Sequence, residues 1–275
     1  MPRACCATHA INTGSYMHTN PATTSTASPK VMLITGGGRG IGAATAKLAA
    51  VHGYAVVINY HSQHAPAQQV VQDIKQAGGQ AMCVQADVST DVGVLALFAA
   101  VDQHFGRLDV LVNNAGVVDK TARVQDMSEA RLLRMFATNT ISAFLCCREA
   151  VKRMSTALGK DGGAIVNVSS AASRLGSANQ YVDYAASKGA MDVLTHGLAQ
   201  EVAPFGIRVN AVRPGLIDTD IHASGGVPNR VNDLAAGVPM GRGGSAEEVA
   251  QAIVWLASDQ ASYTTMSLVD VSGGR

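Results

Sequence analysis

The chain has 275 residues, 47% hydrophobic and only 15% charged, with a formal net charge of +1 and aromatics at 4%. That composition excludes a chain disordered over most of its length and predicts one large core, with part of the surface covered by partner subunits. Near-zero charge, no basic stripe and few aromatic rings exclude a dedicated nucleic-acid binder.

Residues 1–29 are rich in Thr, Ser, Ala and Asn, carry no acid and show no periodicity, so they read as a disordered or loosely attached leader. Arg3 is the only arginine there and no apolar signal core is present, which weighs against a targeting peptide. The five cysteines, Cys5, Cys6, Cys83, Cys146 and Cys147, include two adjacent pairs and no C-x-x-C spacing. They point to a reducing, cytoplasmic setting rather than a disulfide framework. His61 and His64 have no cysteine or carboxylate beside them to complete a metal site, and no apolar run is long enough to span a membrane.

From Lys30 onward, short apolar runs alternate with amphipathic segments. The runs Val31–Thr35, Ala55–Asn59, Ala81–Gln85, Val110–Asn113, Ala164–Val168, Ile207–Val212 and Leu268–Val271 are apolar throughout, as expected of strands covered on both faces. Ile41–His52, Ala67–Ala77, Val92–Phe105, Ala130–Met154, Tyr184–Ala203 and Ala246–Ala257 read as helices. The pattern predicts a single α/β domain over residues 30–275: a Rossmann-type, doubly wound, seven-stranded parallel sheet with helices on both faces.

The first strand ends in Thr35-Gly36-Gly37-Gly38-Arg39-Gly40-Ile41-Gly42, a glycine-dense turn that lets backbone approach a diphosphate and aims a helix N-terminus at it. Gly38, Gly40 and Ala43 fit the G-x-G-x-x-G/A spacing; Gly36, Gly40 and Gly42 fit T-G-x-x-x-G-x-G. At the end of the second strand, where an NAD site places a carboxylate for the ribose 2′-hydroxyl, the chain has Asn59-Tyr60-His61-Ser62. Arg39 in the glycine turn suits a 2′-phosphate instead, so the expected cofactor is NADP(H), with Tyr60, His61 and Ser62 among its contacts.

Further along come Asp87-Val88 after the third strand, Asn113-Asn114-Ala115-Gly116 after the fourth, Ser170 after the fifth, Tyr184-Ala-Ala-Ser-Lys188 and Pro214-Gly215. Together with the glycine turn, this ordered set resembles the short-chain dehydrogenases/reductases, across essentially Lys30 to Arg275. It looks most like the NADP-dependent bacterial branch with 3-oxoacyl carrier-protein reductases and glucose-dehydrogenase-like enzymes. The resemblance implies cofactor contacts from Gly36, Gly38, Gly40 and Ile41 at the phosphates and from Asp87 and Val88 near the adenine. It also implies contacts from Asn114, Ala115 and Gly116 along the ribose, and from Pro214, Gly215, Ile217 and Thr219 around the carboxamide. It places Asn139 where relatives hold a water near the lysine, and implies a homotetramer built on the Ala130–Met154 and Tyr184–Ala203 helices. Met266 departs from the family, standing where relatives commonly have glycine.

The residues carry the same chemistry. Tyr184 and Lys188 lie one helical turn apart, so the ammonium is expected to favour the phenolate and make Tyr184 a proton donor and acceptor. Tyr181 competes for that role but has no lysine one turn on. Ser169 and Ser170 compete to reach the substrate oxygen at a strand end, because neighbours on a strand face opposite ways; the resemblance selects Ser170. Asp218–Gly244, with His222 and scattered Gly and Pro, reads as a substrate lid. The reading is an NADP(H)-dependent oxidoreductase interconverting a secondary alcohol and a ketone or aldehyde. Its rivals are an NAD-dependent sugar or polyol dehydrogenase and a non-catalytic dinucleotide sensor.

Overall fold

A computed structural model describes residues 28–221 and 225–275. Most of the leader, with Cys5 and Cys6, and His222 in the lid segment lie outside the described residues. All seven predicted runs enter one sheet: β1 (Val31–Ile34), β2 (Ala55–Tyr60), β3 (Ala81–Gln85), β4 (Val110–Asn113), β5 (Gly163–Val168), β6 (Ile207–Pro214) and β7 (Leu268–Val271). The order is β3-β2-β1-β4-β5-β6-β7 and every pairing is parallel.

The unbroken apolar runs have a direct cause. Along β1, Val31 and Leu33 enter one core while Met32 and Ile34 enter the other, and all four are essentially inaccessible to solvent. The first core lies under α3 (Asp91–Phe105), α5 (Ser142–Met154) and α7 (Val182–Val202); the second lies under α1 (Gly40–Val51), α2 (His64–Gln76) and α9 (Ala246–Ala257). Each fully buried aliphatic side chain contributes about 1.5–3 kcal/mol, so both faces must be apolar for the sheet to close. Free thiols at Cys146 and Cys147 belong to the first core, where burial pushes both upward, Cys147 to about 12.

Local chemistry sets the helix ends. Thr90 Oγ1 accepts the Gly93 N–H at 3.2 Å to start α3, which ends at left-handed Gly106. Ser245 and Glu248 cap α9 reciprocally.

Three features differ from the periodicity. The single helix predicted over Ala130–Met154 is two, α4 (Glu129–Phe136) and α5, joined by a π-helical turn at Ala137–Ile141; the apolar spacing runs through a one-residue bulge that periodicity does not register. Two short helices, α6 (Ala172–Leu175) and α8 (Arg230–Leu234), are too brief to carry a periodic signal. The segment after β6 pairs back through an isolated parallel bridge between Ile217 and Gly244.

Met266, where the sequence departs from the family's glycine, strains the backbone: its φ is +61°, its side chain is exposed, and its N–H is held by Val209 O at 2.7 Å. A β-carbon is disfavoured in that conformation. Met266→Gly is therefore expected to raise stability by about 1 kcal/mol and the melting temperature by about 2–4 °C, read by calorimetry.

Candidate active site

Strands β1 and β4 are neighbours in the sheet but their following connections leave to opposite sides, which opens a crevice at their carboxyl ends. Side-chain hydrogen bonds fasten its two lips. Thr35 Oγ1 accepts the N–H groups of Asn114 and Ala115, both at 3.0 Å, while Asn114 Nδ2 donates to the carbonyls of Thr35 at 2.9 Å and Gly36 at 3.0 Å. The glycine turn fits under this lock only without side chains: a β-carbon on Gly42 would lie 2.6 Å from Asn114 Nδ2 and 2.7 Å from the Gly36 carbonyl. Helix α1 then begins with no side-chain cap and no acid in its first turn. Its N-terminus lies on the cleft, a donor set that fits a diphosphate.

The cleft has a volume of about 790 Å³, and it brings together Gly36, Gly38, Arg39, Gly40, Ile41, Tyr60, His61, Ser62, Asp87, Val88, Asn114, Ala115, Gly116, Ser170, Tyr184, Lys188, Pro214, Gly215, Ile217 and Thr219. Of the residues singled out in the sequence as site members, Asn139 alone does not line it.

At the β2 end, Asn59 turns inward. Its Nδ2 donates to Ala86 O at 3.0 Å and its Oδ1 accepts the Gly36 N–H at 3.4 Å, so it ties the glycine turn to β3. Arg39 is exposed beside it and forms no ion pair among the described residues. His61 Nε2 lies 3.9 Å from Asp87, whose carboxyl the Ser89 hydroxyl holds below the usual range. The Tyr60 hydroxyl lies 2.7 Å from His64 Nδ1.

At the other end the two serines separate. Ser169 is buried and its hydroxyl donates to Lys188 O at 3.1 Å, fixing the helix to the strand. Ser170 is half-buried on the cleft wall, and its hydroxyl accepts the Ala172 N–H at 3.1 Å. Lys188 Nζ lies 5.7 Å from the Tyr184 ring centre and donates to Val168 O at 2.7 Å.

The expected downward shift of the phenol is not what this environment produces. Burial pushes Tyr184 above its ordinary value and the Ser170 hydroxyl works against that rise, while burial draws Lys188 down to about 8 against the opposing pull of Asp192. Low dielectric penalises phenolate and ammonium alike, so one-turn spacing alone does not decide the direction.

Asn139, read as a water holder, has its side chain committed to protein. Its Oδ1 accepts the Val117 N–H at 2.7 Å, and its Nδ2 donates to Val117 O at 2.9 Å and Ser187 Oγ at 3.1 Å. It sits in the π-helical turn and pins the loop after β4 to α7. A β-carbon on Gly116 would lie 3.4 Å from Lys188 Nζ and 3.5 Å from Asn139 Oδ1, ordinary contact distances that put this backbone directly against the lysine and the asparagine.

Periodicity and motif gave no sign of the ion pairs around this frame. Arg131 on α4 meets Asp183, the residue before Tyr184, at 2.7 Å; the Asp183 side chain is wholly buried. Arg131 also donates to Lys120 O at 2.7 Å, and Arg134 pairs with Asp119 on the same loop. Arg230 and Tyr181 also line the cleft. The pairings join residues as much as 52 positions apart, and no local pattern encodes them.

A family model described as Enoyl-(Acyl carrier protein) reductase matches residues 36–275. The chain is 57% identical to the oxidoreductase YgfF of Escherichia coli K12, over 89% of this chain and 99% of that one. It is 37% identical to glucose 1-dehydrogenase 2 of Bacillus subtilis 168, over 89% and 94%. Among solved structures, the 3-ketoacyl-(acyl-carrier-protein) reductase of Brucella melitensis complexed with NADH superposes with a TM-score of 0.82 at 33% identity, covering 90% of this chain and 98% of that one.

Two outcomes follow from the site's burial. Arg131→Met leaves the Asp183 carboxylate buried and unpaired, and urea unfolding is expected to show a loss of about 3–5 kcal/mol. The lowered Lys188 value means the unfolded chain holds a proton that the native one lacks between about pH 8 and the ordinary lysine value of 10.5. The contribution of Lys188 to stability therefore rises with pH across that window. Melting curves of wild type and Lys188→Met compared from pH 7 to 10.5 should diverge in favour of wild type at the alkaline end.

Proposed function

The chain belongs to the short-chain dehydrogenase/reductase family, and on that premise we propose that it is an NADP(H)-dependent oxidoreductase interconverting a secondary alcohol and a ketone or aldehyde. The observation that carries the reading is that Ser170, Tyr184 and Lys188 share one wall of the cleft whose other end is the glycine turn and the uncapped start of α1. When bound, the nicotinamide supplies or accepts the hydride. The chain's own residues handle the oxygen and its proton.

The Ser170 hydroxyl orients the substrate oxygen. Tyr184 delivers a proton to that oxygen as charge develops on it, or removes one in the other direction. A phenol raised by burial is held protonated and ready to donate, which suits reduction. Lys188, rooted by Val168 O, places a cation or a neutral amine under the phenol according to pH and is placed to hold the nicotinamide ribose. The Asn139 side chain is a positioning group that fixes Val117 against α7.

NADP(H) is favoured because Arg39 is exposed without an acidic partner among the described residues, and the β2 end has an asparagine turned inward in place of a carboxylate. The Brucella neighbour in complex with NADH and the glucose dehydrogenase relative support the second reading, NAD-dependent oxidation of a sugar or polyol.

The assembly we favour is a homotetramer. Leu133, Ile141 and Phe144 on the α4–α5 unit and Val193 on α7 are exposed at 64, 48, 51 and 71%, an apolar surface on the two elements expected to pack between subunits. No helix among the described residues is long and apolar enough to cross a membrane.

Separate titrations of NADPH and NADH into the purified protein test the cofactor. NADPH is expected to bind more tightly, and Arg39→Ala should weaken NADPH alone by about 10- to 100-fold, the worth of a lost charge-assisted contact. Equal or tighter NADH binding would overturn NADP specificity in favour of the second reading. Tyr184→Phe should cut turnover of any accepted carbonyl by at least about 100-fold while leaving cofactor affinity in place; retained turnover would remove the proton role from Tyr184.

A further inference from the structure

The substrate end of the cleft carries an arginine with no role in the chemistry above. Arg230 is the first residue of α8, in the segment between Asp218 and Gly244, and is half-buried on the cleft wall. Two contacts aim it. Its guanidinium carbon lies 5.2 Å from the centre of the Tyr181 ring, and its Nη2 donates to Gln180 Oε1 at 2.7 Å.

Neither contact neutralises it: a neutral amide takes one of five N–H groups and a ring covers one face. Among the described residues it forms no ion pair with a carboxylate, in contrast to Arg134 on the same wall, which is paired with Asp119. Tyr181 is itself buried, directly precedes α7, and lines the same cleft as Tyr184, three residues on. The arginine is thus held in the same cleft as Tyr184 before any substrate arrives.

The geometry points to Arg230 as a specificity residue that selects substrates bearing a carboxylate beyond the reacting carbonyl. A planar guanidinium lining the cleft can match a carboxylate through two parallel N–H···O bonds, and the Tyr181 and Gln180 contacts have already paid its ordering cost. A neutral substrate gains nothing from it and must leave the cation without a partner in a partly desolvated site. The inference rests on the carbonyl–alcohol reading for its placement relative to the reacting atoms, but it is a statement about binding and is tested as one.

Acetoacetate, levulinate and their longer straight-chain homologues are titrated calorimetrically, each against its methyl ester, into the protein saturated with whichever dinucleotide binds. For at least one chain length the acid is expected to bind about 10- to 100-fold more tightly than its ester. Arg230→Gln should erase that difference and Arg230→Lys should keep part of it, while dinucleotide affinity and melting temperature of both variants show that the fold is intact. Equal affinity of acid and ester throughout, a preference that survives Arg230→Gln, or no measurable binding of any acid would each overturn the assignment. Turnover of the same ketones is followed separately at the nicotinamide absorbance. Selective binding without turnover would sink the carbonyl–alcohol reading and leave the role of Arg230 standing, whereas turnover without selectivity would do the reverse.

Discussion

The cleft exists because two backbone segments that diverge are fastened at the point of divergence. The Thr35 and Asn114 side chains make four hydrogen bonds across the gap between β1 and β4, two between these residues and one each to Ala115 and Gly36, every one joining a side chain on one lip to backbone on the other. A typical bond of this kind contributes about 1 kcal/mol net, but a buried donor or acceptor left without its partner costs about 1–3 kcal/mol. The lock is therefore asymmetric: it adds little while intact and is expensive to lose. Its tightness is also what forbids a side chain at Gly42 and brings the first N–H groups of α1 to the cleft.

The far wall is held by a different device. Helix α4 and the π-helical turn after it reach the loop behind β4 at three successive places, through Arg134 to Asp119, Arg131 to Lys120 and Asn139 to Val117. The same unit grips α7 through Arg131 to Asp183 and Asn139 to Ser187, on either side of Tyr184. The bulge makes this possible. An uninterrupted α-helix would carry Asn139 round on a regular 100° step, whereas the wider turn re-aims its amide toward both partners. Loop and helix are thereby tied to one rigid body, so the phenol, the lysine and the Gly116 backbone are placed with respect to one another rather than each to solvent.

Much of this architecture was legible because short-range rules apply to it. Strands buried on both faces must read as continuous apolar runs, and the seven runs found that way are the seven strands. A glycine turn between a strand and a helix has few alternatives, and twenty of the residues expected in the site do share one cleft. The failures have physical reasons. Periodicity passes through the bulge at Ala137–Ile141 because one extra residue barely changes the apolar stripe. The direction of the Tyr184 shift depends on how deeply the pair is buried, which spacing does not encode. The partners of Asn139 come from a loop and a helix that no motif describes, and Arg230 had no pattern to announce it because its meaning lies in an unpaired charge beside a ring 49 positions back, from Arg230 to Tyr181.

The adjacent thiols of α5 have a consequence for how the molecule's opening can be watched. Cys146 and Cys147 lie inside the core under β4 and β5, and burial holds both in the unreactive protonated form. Cys83, half-exposed on β3, is accessible without that core being disturbed. Among the described residues a thiol reagent therefore reads two clocks: Cys83 reports breathing at the sheet's edge, while modification of Cys146 and Cys147 waits for α5 to lift from the sheet. Because α5 continues directly from the bulge that aims Asn139, the slower clock times the loss of that wall of the cleft itself.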